Sequence, residues 1–153
     1  MLHFNSRVIS FICDALTVAL GLMWVYAGSM KLTDLWGLMD SLLQYKLLPD
    51  SWVTMAASTL PWMELLIGAG LIMGVLPYLK RVSENRIFLL TMSWMSMSLL
   101  TVFFMAMYSV MWRGLEVTCG CFGADTQLVG WVTIGRDFGL ILLNSVLLWR
   151  LKV

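Results

Sequence analysis

The sequence predicts an all-α integral membrane protein: a four-helix bundle with a short amphipathic helix between spans 1 and 2, forming a single transmembrane domain over residues 1–153. Three observations lead there. Four apolar stretches are each long enough to cross a hydrocarbon core, which takes about 20 helical residues. Hydrophobic residues make up 60% of the chain and charged residues 12%, against about 25% charged in soluble domains. The charges also cluster between the apolar stretches rather than spreading along them. A sheet is disfavoured because strict alternation is absent, and lipid forbids open strand edges.

The expected spans are about 8–30, 57–79, 87–112 and 131–149. The first carries Asp14 as its one charge, and Arg7 seven residues earlier is a partner for it. Its apolar run from Val8 to Ala27 exceeds the roughly 7–15 residues of a signal-peptide core, so it reads as a retained helix. After it, Thr33 or Asp34 can cap a helix running to about Leu48, where Pro49 stops it. Leu35, Leu38, Met39, Leu42 and Leu43 recur there at helical spacing. That pattern suits a helix lying on the membrane surface or one packed over the bundle mouth. In the second span, Pro61 in a first turn would place Glu64 one turn inside the membrane. The third span has no charge but is rich in methionine. Thioethers suit Cu(I), yet these methionines keep no single face and no histidine joins them, so packing or lipid contact is the reading. The fourth span has Arg136 and Asp137 near its start.

Four spans put both termini and the second connection on one side. Arg7, Lys80, Arg81, Arg86, Arg150 and Lys152 lie there; Lys31, Lys46, Arg113 and Arg136 lie on the other. The positive-inside rule then favours cytoplasmic termini, in a bacterial inner membrane, with the third connection facing the periplasm. Trp24, Trp36, Trp52, Trp62, Trp112 and Trp131 fall near the outer ends of the spans, as an interfacial aromatic belt would. A net charge of +1 gives no electrostatic case for nucleic acid. There is no phosphate-binding loop, dinucleotide glycine motif, zinc-protease motif or nucleophile elbow.

The sharpest chemical feature is Cys119-Gly120-Cys121-Phe122-Gly123, on that third connection. Two thiols one residue apart can close a small strained disulfide, which is easier to reduce. Such a pair can serve as a redox dithiol, a static disulfide pinning the loop, or a pair of metal ligands. Two thiolates are too few for a structural zinc site. Cys13 stands alone in an apolar run and reads as a small buried residue, and His3 is assigned no role. An ionisable residue inside a span is a functional candidate by default. Lys31, Glu64, Arg136 and Asp137 are expected at similar depth, meeting beneath the Cys-Gly-Cys loop as a reactive cluster or as an ion-pair lattice.

The blocks Tyr26-Ala27-Gly28-Ser29-Met30-Lys31-Leu32, Leu60-Pro61-Trp62-Met63-Glu64-Leu65 and Cys119-Gly120-Cys121-Phe122-Gly123, with Arg136-Asp137 after them, resemble the MauE family of methylamine-utilisation membrane proteins and the related DoxX-like group. Their order and spacing span most of the chain. The resemblance implies a four-helix membrane protein engaged in thiol redox work outside the cytoplasm, in maturation of a disulfide-rich subunit beside a thioredoxin-like partner. It makes a quinone a candidate electron acceptor and names no resident metal. Quinone-linked four-helix thiol oxidoreductases use two cysteine pairs, and this chain has one pair plus Cys13.

Three functions compete on the sequence. One is a thiol-disulfide redox component using Cys119, Cys121 and Glu64, supported by Lys31, Arg136 and Asp137. The second is a non-enzymatic subunit or assembly factor with a structural disulfide. A small-molecule or ion carrier built on Glu64 is the weakest, having one intramembrane acid of this kind.

Overall fold

A computed structural model describes residues 6–75, 86–119 and 128–152. It contains α1 (Ser6–Thr33), α2 (Leu35–Tyr45), α3 (Asp50–Val75), α4 (Arg86–Trp112) and α5 (Trp131–Lys152). Four of these, all but α2, are long and apolar enough to cross a membrane. The protein is therefore an all-α multi-pass membrane bundle with one short helix between the first two spans. Arg150 near the end of α5 donates to the Ile9 carbonyl at 2.8 Å, which ties the beginning of α1 to the end of α5.

The short helix starts as the sequence indicates but ends at Tyr45, short of the expected Leu48, because Lys46 turns the chain before Pro49 is reached. Asp34 is the N-cap, and its carboxylate accepts from the Gly37 amide at 2.9 Å. Lys46 ends α2 in the left-handed region, with φ of 50°. The expected apolar face is only partly right. Leu38, Ser41 and Tyr45 are buried, whereas Leu35 and Leu43 are exposed. Residues three and four apart share a helix face, and the side that meets the bundle is the one carrying Tyr45.

The second span differs from expectation at its start. α3 begins at Asp50, not near residue 57 or at Pro61, and Pro61 lies buried inside it. Asp50 in the first turn complements the helix N-terminus, and an interior proline is tolerated where neighbouring helices enclose the backbone. Glu64 is thus well inside α3 by sequence. It still pairs with Lys31, in the last turn of α1, and α3 packs on α2 as well as on α1.

The closest helix contact is between α1 and α3. A Cβ on Gly68 would lie 2.6 Å from the Gly21 carbonyl oxygen and 2.9 Å from the Val25 amide nitrogen. A Cβ on Gly28 would lie 2.9 Å from the Pro61 carbonyl oxygen. Small residues let helix backbones approach in lipid, where no hydrophobic force draws helices together. Around this contact Leu20 and Trp24 of α1, Ile67 and Leu71 of α3, Leu100 of α4 and Leu147 of α5 form one core cluster. A second holds Tyr45, Met107, Val110, Val117, Cys119 and Ile134.

Trp24 corrects an expectation. It is 2% exposed, its indole N–H donates to Ser96 Oγ at 2.8 Å, and so it is a core residue rather than a belt residue. Trp36, Trp52, Trp62, Trp112 and Trp131 are exposed, as a belt requires. Cys13 packs at the edge of the first core cluster. Asp14 is exposed, and its expected pairing rests on the Arg7 side chain, which lies outside the described residues. Lys80 and Arg81 lie outside them too.

The Gly68 contact yields a stability test. Gly68→Ala drives a methyl group into backbone that cannot yield and should destabilise the protein by about 1–3 kcal/mol, the range for overpacking. Gly139→Ala, where a Cβ would meet nothing within 4 Å, should leave stability unchanged or raise it by up to about 1 kcal/mol through helix propensity. Thermal unfolding of the two variants in detergent checks the contrast.

Candidate functional site

Lys31 reaches from the last turn of α1 to α3, where its ammonium donates to Glu64 Oε1. The two side chains are 3% and 0% exposed. The ammonium also lies 5.0 Å from the centre of the Phe103 ring on α4, within cation–π range. A charge buried in this way is stable only when paired, since each ion gives up its hydration. Glu64 Oε2 is buried and has no hydrogen-bond partner among the described residues.

On α5, Arg136 donates through Nε and a terminal nitrogen to Asp137 Oδ1, both at 3.3 Å. Asp137 is 4% exposed, while Arg136 is half-buried. A small void of about 20 Å³ is lined by Lys31, Glu64, Arg136 and Asp137 together, with Trp24 and Phe103 among its apolar walls. That volume is about the size of one water. The four charges expected to meet from three spans do meet.

Cys119 lies beside this cluster. It is 8% exposed, and Arg136 brings a guanidinium nitrogen to 4.0 Å from its Sγ. Met107 Sδ lies 3.7 Å from the same sulfur. The Tyr45 hydroxyl donates to the Cys119 carbonyl at 3.1 Å. The Ser41 and Thr118 hydroxyls are 3.4 Å apart, and Arg113 donates to the Tyr45 carbonyl at 2.6 Å. Val129 N–H donates to the Val117 carbonyl at 2.9 Å, and an isolated bridge joins Thr118 to Leu128. The base of the loop is thereby closed and tied to α2. Cys121, and with it the expected Cys119–Cys121 disulfide, lies outside the described residues.

Sequence reasoning missed Tyr45, Met107 and Phe103. Tyr45 was legible as the residue seven after Leu38, on one face with Ser41. Met107 is one of six methionines on the third span whose faces differ, and nothing in the sequence marks it as the one against sulfur.

With this geometry in view, comparison with known proteins is decisive on kinship. A family model described as methylamine utilisation protein MauE matches residues 9–150. The chain belongs to the MauE family. No curated protein and no solved structure matched it. The matched range takes in every candidate position of this MauE-family chain, from Lys31 through Glu64 and Cys119 to Asp137.

The buried pair makes a direct prediction. Lys31→Met leaves Glu64 charged or forces it to take up a proton in the bundle interior, and should destabilise the protein by about 3–5 kcal/mol. The double variant Lys31→Met, Glu64→Met removes both charges and should recover most of that loss. Chemical unfolding of both variants in the same detergent measures the difference.

Proposed function

We propose that this MauE-family membrane protein is a thiol-disulfide redox component that serves protein maturation outside the cytoplasm together with a thioredoxin-like partner. The observation that carries the reading is the Arg136 guanidinium 4.0 Å from Cys119 Sγ, at the end of the bundle where four charges converge. A cation beside a thiol favours the thiolate, and the thiolate is the attacking species in disulfide exchange.

In this mechanism Cys119 and Cys121 form a reversible disulfide. When the pair is reduced, the Cys119 thiolate attacks a disulfide of the partner and displaces one partner sulfur as thiolate. Cys121 then attacks the mixed disulfide, so the two electrons pass to the partner and the chain's own pair is closed. Oxidation of the partner runs the same steps in reverse, with a quinone as the candidate final acceptor. Glu64, with Oε2 lacking a hydrogen-bond partner among the described residues, is the group proposed to take and return the proton. Lys31, Arg136 and Asp137 hold the electrostatic setting. The protein acts in the bacterial inner membrane, with cytoplasmic termini and the cysteine loop in the periplasm.

One observation favours a second reading. Cys119 is buried, its carbonyl is clamped by Tyr45 and its sulfur packs on Met107, which also suits a static disulfide in a non-enzymatic assembly factor. Thiol trapping in membranes separates the two. In the redox reading, Cys119→Ser and Cys121→Ser each abolish exchange with the partner while the protein still inserts, because helix packing supplies the fold. Glu64→Gln slows exchange by about a hundredfold or more, the usual contribution of a positioned proton-transfer group, and Arg136→Gln slows it by removing the cation that favours the Cys119 thiolate. A disulfide that stays closed under every redox condition supports the structural reading instead.

The orientation has its own test. An alkaline phosphatase reporter should be inactive when fused after Val153 and active when inserted in the loop after Cys119. An active fusion at Val153 would remove the compartment argument along with the topology.

A further inference from the structure

A cavity of about 210 Å³ lies among α2, α3 and α4. Leu42 of α2, Leu60 of α3, and Phe103 and Ala106 of α4 supply much of its apolar wall, and Lys31 and Cys119 also line it. The other polar groups on that wall are already engaged: the Tyr45 hydroxyl with the Cys119 carbonyl, the Ser41 hydroxyl with Thr118. Lys31 is different. Its ammonium has three N–H donors, and among the described residues one of them has a hydrogen-bond partner, Glu64 Oε1. Lys31 is 3% exposed, so beyond Glu64 its ammonium must be met inside the bundle, by the face of the Phe103 ring, by the one-water space beside Glu64 or by an occupant of this cavity. A buried donor left unsatisfied costs about 1–3 kcal/mol.

Size and lining select the occupant. Apolar cavities of roughly 150 Å³ stay dry and accept a benzene-sized ring, whereas drug-sized ligands need about 300–1,000 Å³. The cavity falls between, so it suits one substituted ring or a short length of chain. Its walls reject a polar body, and the Lys31 ammonium calls for an acceptor oxygen.

We propose that this cavity is a binding site for a lipophile that carries a carbonyl oxygen on an apolar body, the oxygen accepting a hydrogen bond from Lys31 Nζ. A bilayer offers that chemistry from two sources, the ring carbonyl of a quinone and the carboxyl group of a free fatty acid. The site requires no electron transfer and does not rest on the thiol mechanism.

Equilibrium dialysis of the purified full-length protein in detergent, with a short-chain ubiquinone and separately with oleate, tests it. Saturable binding of one molecule per chain is expected for at least one probe. Ala106→Leu, which fills the cavity, and the double variant Lys31→Met, Glu64→Met, which removes the donor with its counter-ion, should each weaken that binding at least tenfold. Binding of the ubiquinone alone assigns the ring carbonyl, and binding of oleate alone assigns the carboxyl group. Binding of both supports the shared chemistry. Failure of both probes to saturate the folded protein overturns the site, as does affinity that either folded variant leaves unchanged. A measurement on the wild type needs no variant to fold: a saturating concentration of the bound probe should slow alkylation of reduced Cys119 at least threefold, read by peptide mass spectrometry. An unchanged rate would overturn the site by itself.

Discussion

The Lys31–Glu64 ion pair is the constraint from which the rest of the bundle follows. Two charges enclosed between helices are tolerable only if they stay in contact. That contact fixes how far α1 can slide along α3, and the glycine approach at Gly21 and Gly68 fixes how near the two can lie. α1 ends two residues beyond Lys31 and α2 begins after one intervening residue, Asp34. The chain therefore folds back immediately above the pair. This return brings Tyr45 to the Cys119 carbonyl and sets α2 against α3. The position of the sulfur is thus a consequence of an ion pair on two other helices.

Polar contacts also set the remaining helices. Trp24 bonds Ser96 across α1 and α4, and Asn144 of α5 donates to the Ser93 carbonyl of α4 at 3.1 Å. Apolar side chains gain little by leaving lipid for one another, so such bonds and close backbone contacts do the specifying. α4 packs mainly on α5, and α1 mainly on α3. The charged cluster and the apolar cavity lie where these two pairs meet, and Lys31 and Phe103 line both spaces.

Much of this was legible in the sequence. Span number follows from the lengths of the apolar runs, and the Asp34 cap from a short polar residue before a helical pattern. The meeting of Lys31, Glu64, Arg136 and Asp137 follows from the need of buried charges for partners. The start of α3 was not legible, because Pro61 fits a first turn as well as it fits an enclosed helix interior. Trp24 was misplaced because the sequence carries no sign of the Ser96 hydroxyl across the bundle. The facing of α2 was half read, since leucines surround that helix and only packing chooses among them. Cys119 is found beside a cation. The state of its neighbour Cys121 was proposed from spacing and resemblance and stands as a proposal.

The Lys31–Glu64 pair carries a consequence for energy coupling. Whether the proton sits on Nζ or on Oε1, the two side chains together carry no net charge. A membrane potential does work of about 2.3 kcal/mol on each elementary charge moved through 100 mV, and it does none on a neutral pair carried along as a unit. Proton exchange inside this pair displaces charge over no more than the contact between two side chains. As long as no proton enters or leaves it, the pair keeps two charges in the interior while remaining nearly blind to the voltage across the membrane.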